Sequence, residues 1–139
     1  MPEASNPPEN TRPIILLIAE DADLHSTLKR NLRRDGYSVL LALDMEDALE
    51  WMSGGYVHAD LVLVDFVGKS TEESLSAGRV ARQHAASNGP TPLVVMAEKY
   101  GKDVEGTDVN VEGNDWVHYL GEEPRQLENL LARLTAKAV

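Results

Sequence analysis

The sequence contains no cysteine, which excludes a disulfide framework and any metal site built on thiolates. Basic residues are also scarce, with 13 lysines and arginines against 23 aspartates and glutamates and a net charge of −10. Broad nucleic-acid binding usually needs a basic face, so this balance argues against it. No apolar stretch approaches the roughly 20 residues that a membrane helix requires. The chain also begins without the basic and apolar pattern of a signal peptide, so we expect a soluble, cytoplasmic protein.

What the sequence does contain is typical of a globular protein. Its 139 residues, 42% of them hydrophobic, are enough for one domain with a buried core. Residues 1–12 are rich in proline and polar side chains and have no periodic apolar pattern. We therefore predict a disordered N-terminal tail over residues 1–12 and a single domain over residues 13–139.

Short apolar segments alternate with helical patterns along that domain. Strands are predicted at 14–19, 37–42, 61–65, 92–97 and 116–120, with helices between them and after the last. This alternation predicts a doubly wound α/β fold with a parallel sheet. The segment 98–114 has three glycines and several poor helix formers, so any helix there should be short or irregular.

Carboxylates follow two of the predicted strands at the point where each strand ends. The buried segment Leu61–Val64 ends in Asp65, and the first strand ends in Glu20 and Asp21. Ligands of open α/β sheets bind beyond the carboxyl ends of the strands. The three acids are therefore predicted to share one acidic pocket, where a bound cation would relieve the repulsion between their charges.

These strands and strand-end acids, in this order, resemble the receiver domain of two-component response regulators over nearly all of residues 13–137. The resemblance is carried by the acidic pair, the strand ending in Asp65, the segment from Thr91 to Met96 and the segment from Asn114 to Val117. It implies a flavodoxin-like, five-stranded parallel sheet of order 2-1-3-4-5.

The resemblance also implies a chemistry and partners. Asp65 would accept a phosphoryl group, and Mg²⁺ would be held by Glu20, Asp21, Asp65 and the backbone carbonyl of Val67. The phosphoryl donor would be a sensor histidine kinase or a phosphotransfer protein, and the output would be contact with a downstream protein. Such a domain is not an enzyme, apart from slow self-catalysed transfer to Asp65.

Two positions depart from the family, and a third bears on the conformational switch that the family uses. Ala97 stands where the family has a serine or threonine, and Tyr119 stands where it has a lysine. Both donors to the phosphoryl oxygens are thus missing, which predicts an atypical receiver with slow transfer. Lys69 or Lys99 could supply part of the lost charge. We further expect Trp116 to lie permanently inward, in the space that the small Ala97 leaves open.

Two other functions are compatible with parts of the sequence. The domain could be a pseudo-receiver that docks a partner without phosphorylation. The sequence Gly68-Lys69-Ser70-Thr71 resembles half of a nucleotide-binding P-loop, but Leu63 stands where that loop needs its first glycine. A haloacid-dehalogenase phosphatase would need a second aspartate at Val67.

Overall fold

The computed structural model describes residues 12–20, 22–53, 59–85, 91–97 and 100–135. The tail predicted for residues 1–12 therefore lies outside the described residues, apart from Arg12. The elements, in chain order, are β1 (Ile14–Ala19), α1 (Ala22–Arg34), β2 (Ser38–Ala42), α2 (Met45–Ser53), β3 (Leu61–Asp65), α3 (Thr71–Ala85), β4 (Leu93–Met96), β5 (Asp108–Glu112), β6 (Asp115–His118) and α4 (Gln126–Thr135).

The strands form one sheet in the order β2-β1-β3-β4-β6-β5. The first five of these are parallel to one another, which confirms the predicted doubly wound sheet. Residues 15–18 of β1 and 61–64 of β3 are fully buried, as expected for strands covered by helices on both faces. Asp60 fixes the register of this central pair, because Ile14 and Asp60 exchange hydrogen bonds of 2.7 Å in both directions.

Helices cover both faces of the sheet. One core cluster contains Ala48 of α2 and Leu75 and Ala81 of α3 against the sheet. The other contains Leu32 of α1 and the α4 pair Leu130 and Leu131. Leu127 and Leu134 of α4 also pack against this second cluster.

Local capping interactions set the helix ends. Ser70 and Glu73 form a reciprocal capping box, with bonds of 3.1 and 2.9 Å, at the start of α3. The Asp44 carboxylate caps α2 by accepting a bond of 2.8 Å from the Asp47 amide. Gly36 follows α1 with a φ of 100°, the left-handed conformation that commonly ends a helix.

The segment between β4 and β6 differs from the prediction. No helix occurs in its described part, residues 100–114; a turn over residues 102–106 leads into β5, which pairs antiparallel with β6. A two-residue turn at Gly113 and Asn114 joins these strands, and Gly113 has a positive φ of 53°. The short or irregular helix expected here is thus replaced by a hairpin, which adds a sixth strand to the sheet.

None of the helices in the described part of the chain is long and apolar enough to span a bilayer.

Candidate functional site

Asp65 lies at the carboxyl edge of the sheet, at the end of its central strand. Val64 before it is buried, whereas Asp65 itself is only half-buried. Asp65 pairs across the sheet with Ala19, the last residue of β1. The next residue, Glu20, is exposed at the same edge. Because neighbouring strands lie about 4.8 Å apart, this register brings Glu20 and Asp65 to adjoining strand ends, as the sequence predicted.

The loop after Asp65 is held at both of its ends. Phe66 is 2% exposed and belongs to the core, whereas Val67 is 45% exposed. Gly68 then turns the chain with a φ of 82°, and the Lys69 ammonium lies 5.4 Å from the centre of the Phe66 ring. The Ser70 capping box follows directly. The backbone carbonyl of Val67 is thus part of a short loop tied to the core on one side and to a helix start on the other.

The Glu73 carboxylate of that capping box has a perturbed pKa. Hydrogen bonds from the backbone and side chain of Ser70 lower the pKa of Glu73 below its ordinary value of 4.5. Glu73 is therefore ionised at neutral pH and places a negative charge at the N-terminus of α3, where the helix dipole favours it.

The predicted metal ligands are brought together only in part by the described residues. Glu20, Asp65 and the Val67 carbonyl lie at one edge of the sheet, whereas Asp21 lies outside the description, as does Lys99. Within residues that are described, no group of three or more acidic, histidine or cysteine side chains forms a metal cluster. The donors that are present are hard oxygens, the type that Mg²⁺ prefers alongside water and phosphate.

Tyr119, at the position of the family's lysine, is engaged in packing. Its ring meets the ring of Tyr100 edge to face, with centroids 5.3 Å apart. Its amide donates to the Thr107 carbonyl at 2.9 Å, and its own carbonyl accepts bonds from Gly106 and Gln126 at 2.9 and 3.0 Å. β6 ends at His118 rather than at Leu120 as predicted.

The expectation for Trp116 is wrong in its placement. Trp116 pairs with Val94, and its side chain packs with the cluster beneath α4. Ala97 packs with the opposite cluster, beneath α2 and α3. The indole therefore lies on the other face of the sheet from Ala97 and does not fill the space beside it. Trp116 is half-buried, and the Arg133 guanidinium lies 5.1 Å from its ring centre.

A buried carboxylate joins α3 to the hairpin, which the sequence did not suggest. Asp115 is 3% exposed and accepts a hydrogen bond of 2.7 Å from Arg79 and a second, short one from Arg82. The hydrogen bond to Asp115 raises the pKa of Arg79 above its ordinary value. Arg79 also lies 3.6 Å from Glu112 of β5. The spacing of Arg79 and Arg82, one helical turn apart, was the available signal for a shared partner.

A second buried polar group lies on the other face of the hairpin. His118 is 1% exposed, and its Nδ1 lies 2.6 Å from the Asp108 carboxylate. Gln126 donates to the same carboxylate at 3.2 Å and accepts from the Gly121 amide at 2.9 Å. The His118 Nε2 has no hydrogen-bond partner among the described residues. These contacts tie β5, β6 and the start of α4 together.

The fold and the strand-end acids are those expected of a response-regulator receiver domain, and comparison with known proteins finds similarity to that class. The chain is 30% identical over 124 residues to the response regulator MprA of Mycolicibacterium vanbaalenii and to that of Mycobacterium sp. strain KMS, a match that covers 88% of this chain. It spans about half the length of these curated relatives, 48% and 49%. No family model matches the sequence.

Solved structures agree on the fold. A response regulator receiver protein from Sinorhizobium medicae superposes with a TM-score of 0.64 at 21% identity, covering 91% of this chain and 96% of that one. The receiver domain of a sensor histidine kinase from Pseudomonas aeruginosa, solved with a magnesium ion coordinated in the active site cleft, gives a TM-score of 0.61 at 21% identity, covering 91% of this chain and all of that one. The chain therefore has the fold of receiver domains, and its sequence is similar to that of response regulators over most of its length.

Proposed function

We propose that this receiver domain accepts a phosphoryl group on Asp65, with Mg²⁺ held by Glu20, Asp21, Asp65 and the backbone carbonyl of Val67. The observation that carries the proposal is the register of β1 and β3, which sets Ala19 opposite Asp65 and so brings Glu20 to the same sheet edge. The magnesium ion in the cleft of the Pseudomonas receiver domain supports the choice of metal.

The reaction would be a displacement at phosphorus. An Asp65 carboxylate oxygen forms the new O–P bond, while the bond from phosphorus to the donor breaks and the leaving group takes its electron pair. The donor would be a phosphohistidine of a sensor histidine kinase or phosphotransfer protein. Bound Mg²⁺ would neutralise charge on the phosphoryl oxygens, as in other phosphoryl transfers.

We expect phosphoryl transfer to Asp65 to be slow because of Ala97 and Tyr119. A hydroxyl at position 97 and an ammonium at position 119 would each stabilise the phosphoryl oxygens, and the loss of one such donor typically lowers a rate by about 10²–10³. Lys69 is the described cation nearest in sequence to Asp65, but its ammonium lies over the Phe66 ring.

The decisive experiment treats the protein with Mg²⁺ and acetyl phosphate, or with Mg²⁺ and beryllofluoride, and follows it by intact mass and by amide NMR. We expect the mass gain of one phosphoryl group in the wild type and none in Asp65→Asn. We also expect weak Mg²⁺ binding that Asp65→Asn and Asp21→Asn each reduce. Equal Mg²⁺ titrations of the wild type and Asp65→Asn would contradict the shared site.

A restoration variant tests the role of the two missing donors. We expect Ala97→Thr combined with Tyr119→Lys to raise the rate or the lifetime of phosphorylation. Tyr119→Phe is the matched control, because it keeps the ring contact with Tyr100 and adds no cation. If the double variant folds but is phosphorylated no faster and no longer than the wild type, the site differs from that of its relatives in more than these two side chains.

The second candidate function is a docking module that works without phosphate. It is favoured by the packing of Tyr119, whose ring and backbone are both committed to neighbouring residues. In this case the output would be contact with a downstream protein in a single, fixed conformation. The discriminating measurement is the cellular phenotype of Asp65→Asn, which should match the wild type if phosphorylation has no role.

A further inference from the structure

The two edges of the sheet are protected to very different degrees. β5 carries acidic residues at both ends, Asp108 and Glu112, and its pairing with β6 has a register shift between Asn110 and Glu112. Charges and bulges of this kind discourage further strand pairing. β2, at the opposite edge, is Ser-Val-Leu-Leu-Ala, with no charge, no proline and an unbroken register against β1.

Two of the five residues of β2 direct their backbone groups away from the sheet. The Ser38 amide donates to the Pro13 carbonyl of the β1 side at 3.0 Å. Because successive residues of a parallel strand face opposite neighbours, the amides and carbonyls of Val39 and Leu41 are directed outward. They are the groups that a further strand would bond.

A groove runs over this edge. It has a volume of about 680 Å³ and reaches both faces of the strand, because its described lining includes residues of both helices beside β2: Lys29, Val39, Leu40, Leu41, Leu43, Asp47 and Glu50. Its floor is apolar, and Leu43 at the end of β2 is 51% exposed. A second cavity of about 310 Å³ continues it beneath α1, where Ser26, Arg30 and Arg33 join Lys29.

The two walls of the groove have opposite charge. The α1 wall is basic, with Lys29, Arg30 and Arg33, and none of these makes an ion pair with a carboxylate in the described part of the chain. The α2 wall is acidic, with Asp47 and Glu50. Side chains of an extended strand alternate between the two faces, so a strand bound here would present one set to the basic wall and the other to the acidic wall.

We propose that β2 binds an extended segment of a partner protein as an additional strand, with acidic side chains toward α1 and aliphatic or lysine side chains toward Leu40, Leu43 and the acids of α2. Main-chain bonds to Val39 and Leu41 supply affinity, and the walls supply specificity. Charge disfavours a second copy of the chain as occupant. Antiparallel pairing of two β2 strands about a twofold axis would set α1 beside α1 and α2 beside α2, bringing like charges together.

A peptide pair tests the proposal against simple attraction to the chain's net charge of −10. The probe is fluorescein-labelled Glu-Val-Glu-Lys-Glu-Val-Glu-Lys-Glu, and the control has every Glu and Lys exchanged. The acidic probe is repelled by the chain as a whole, so its binding reports the local basic wall. We expect binding by fluorescence anisotropy for the acidic probe alone. Stronger binding of the basic control would overturn the proposal.

Protein variants and amide exchange locate the binding. We expect Lys29→Glu with Arg33→Glu to weaken the acidic probe at least tenfold. Lys102→Glu with Arg125→Glu, which gives the same net charge from sites outside the groove, should bind as the wild type does. Equal weakening by both pairs would show that only net charge acts.

The strand pairing itself has a separate test that does not depend on a variant that folds. We expect the probe to slow hydrogen exchange at the Val39 and Leu41 amides, and we expect N-methylation of alternate probe residues to abolish binding. Slow exchange at both amides before any peptide is added would show that the chain itself or a second copy already pairs with the edge. That result would overturn the proposal.

Discussion

Removing the arginines that face Asp115 should destabilise the protein far more than removing Asp115 itself. The three side chains form one network, but they are buried to different degrees: the Asp115 side chain is 4% exposed, and those of Arg79 and Arg82 are 38% and 23% exposed. A buried charge that loses its partners cannot regain water, whereas a half-exposed one can.

The expected magnitudes follow from this asymmetry. In Arg79→Met with Arg82→Met, the carboxylate stays buried without a cation, and breaking a buried pair in this way costs about 3–5 kcal/mol. In Asp115→Asn, the amide keeps the shape and one acceptor while both guanidinium groups turn to solvent. The free energy of unfolding then falls by the worth of one or two hydrogen bonds to a charged group, partly offset because the arginines are solvated. The expected loss is about 1–2 kcal/mol.

The assay is urea unfolding followed by circular dichroism. It compares the wild type, the double arginine variant and Asp115→Asn, with Arg125→Met as the control. Arg125 pairs with Glu128 at 3.1 Å but is 68% exposed, so its loss should change the free energy of unfolding by less than about 1 kcal/mol. The reasoning fails if Asp115→Asn is as unstable as the double arginine variant, because the burial of the carboxylate would then not decide the cost.

Three further outcomes are expected. Gly78→Ala should lower the free energy of unfolding by about 1–2 kcal/mol, because the new Cβ would lie 2.5 Å from Leu93 and overpacking outweighs the better helix propensity. Ser70→Ala should cost about 1 kcal/mol near neutral pH. The pKa of Glu73 is lowered by folding, so its share of the box is present above its ordinary pKa and is lost as pH falls through the folded value. The gap between the variant and the wild type should narrow as pH falls but not close, because the Ser70 hydroxyl accepts from the Glu73 amide whatever the charge of Glu73. With the other tryptophan replaced by phenylalanine, Trp116 fluorescence and quenching should not change on adding Mg²⁺ and beryllofluoride; protection on treatment would show a moving switch.

The parallel part of the sheet was predictable because its signals are local. Buried runs such as Leu61–Val64 and caps such as Ser70 and Glu73 specify an element whatever surrounds it. The position of Asp65 at a strand end follows from the same pattern. Its closeness to Glu20 then follows from the rule that the ends of parallel strands share one edge.

The hairpin was not predicted because its glycines and β-branched residues indicate only a poor helix, whereas its period of two is confined to five residues. Asp108 to Glu112 alternates valine with polar residues, and the glycine and asparagine after it suit a two-residue turn. Asp115 and His118 could not have been assigned from sequence. Their burial depends on which distant side chains, Arg82 and Asp108 among them, the fold brings to them.

Tyr119, which the resemblance aligns with a lysine of the family, is bonded to the segment that leads into the hairpin. The backbone of Tyr119 forms hydrogen bonds with Thr107, Gly106 and Gln126. Two of these three residues lie in the segment that leads into β5. A movement of Tyr119 toward Asp65 would break these three bonds at roughly 0.5–1.5 kcal/mol each, and it would also separate the ring from Tyr100. Ala97 has no hydroxyl and Tyr119 has no cationic group, so neither residue could form a new bond to a phosphoryl oxygen that offsets this cost. We therefore expect β5, β6 and Trp116 to present the same surface to a partner whether or not Asp65 carries a phosphoryl group, as proposed above.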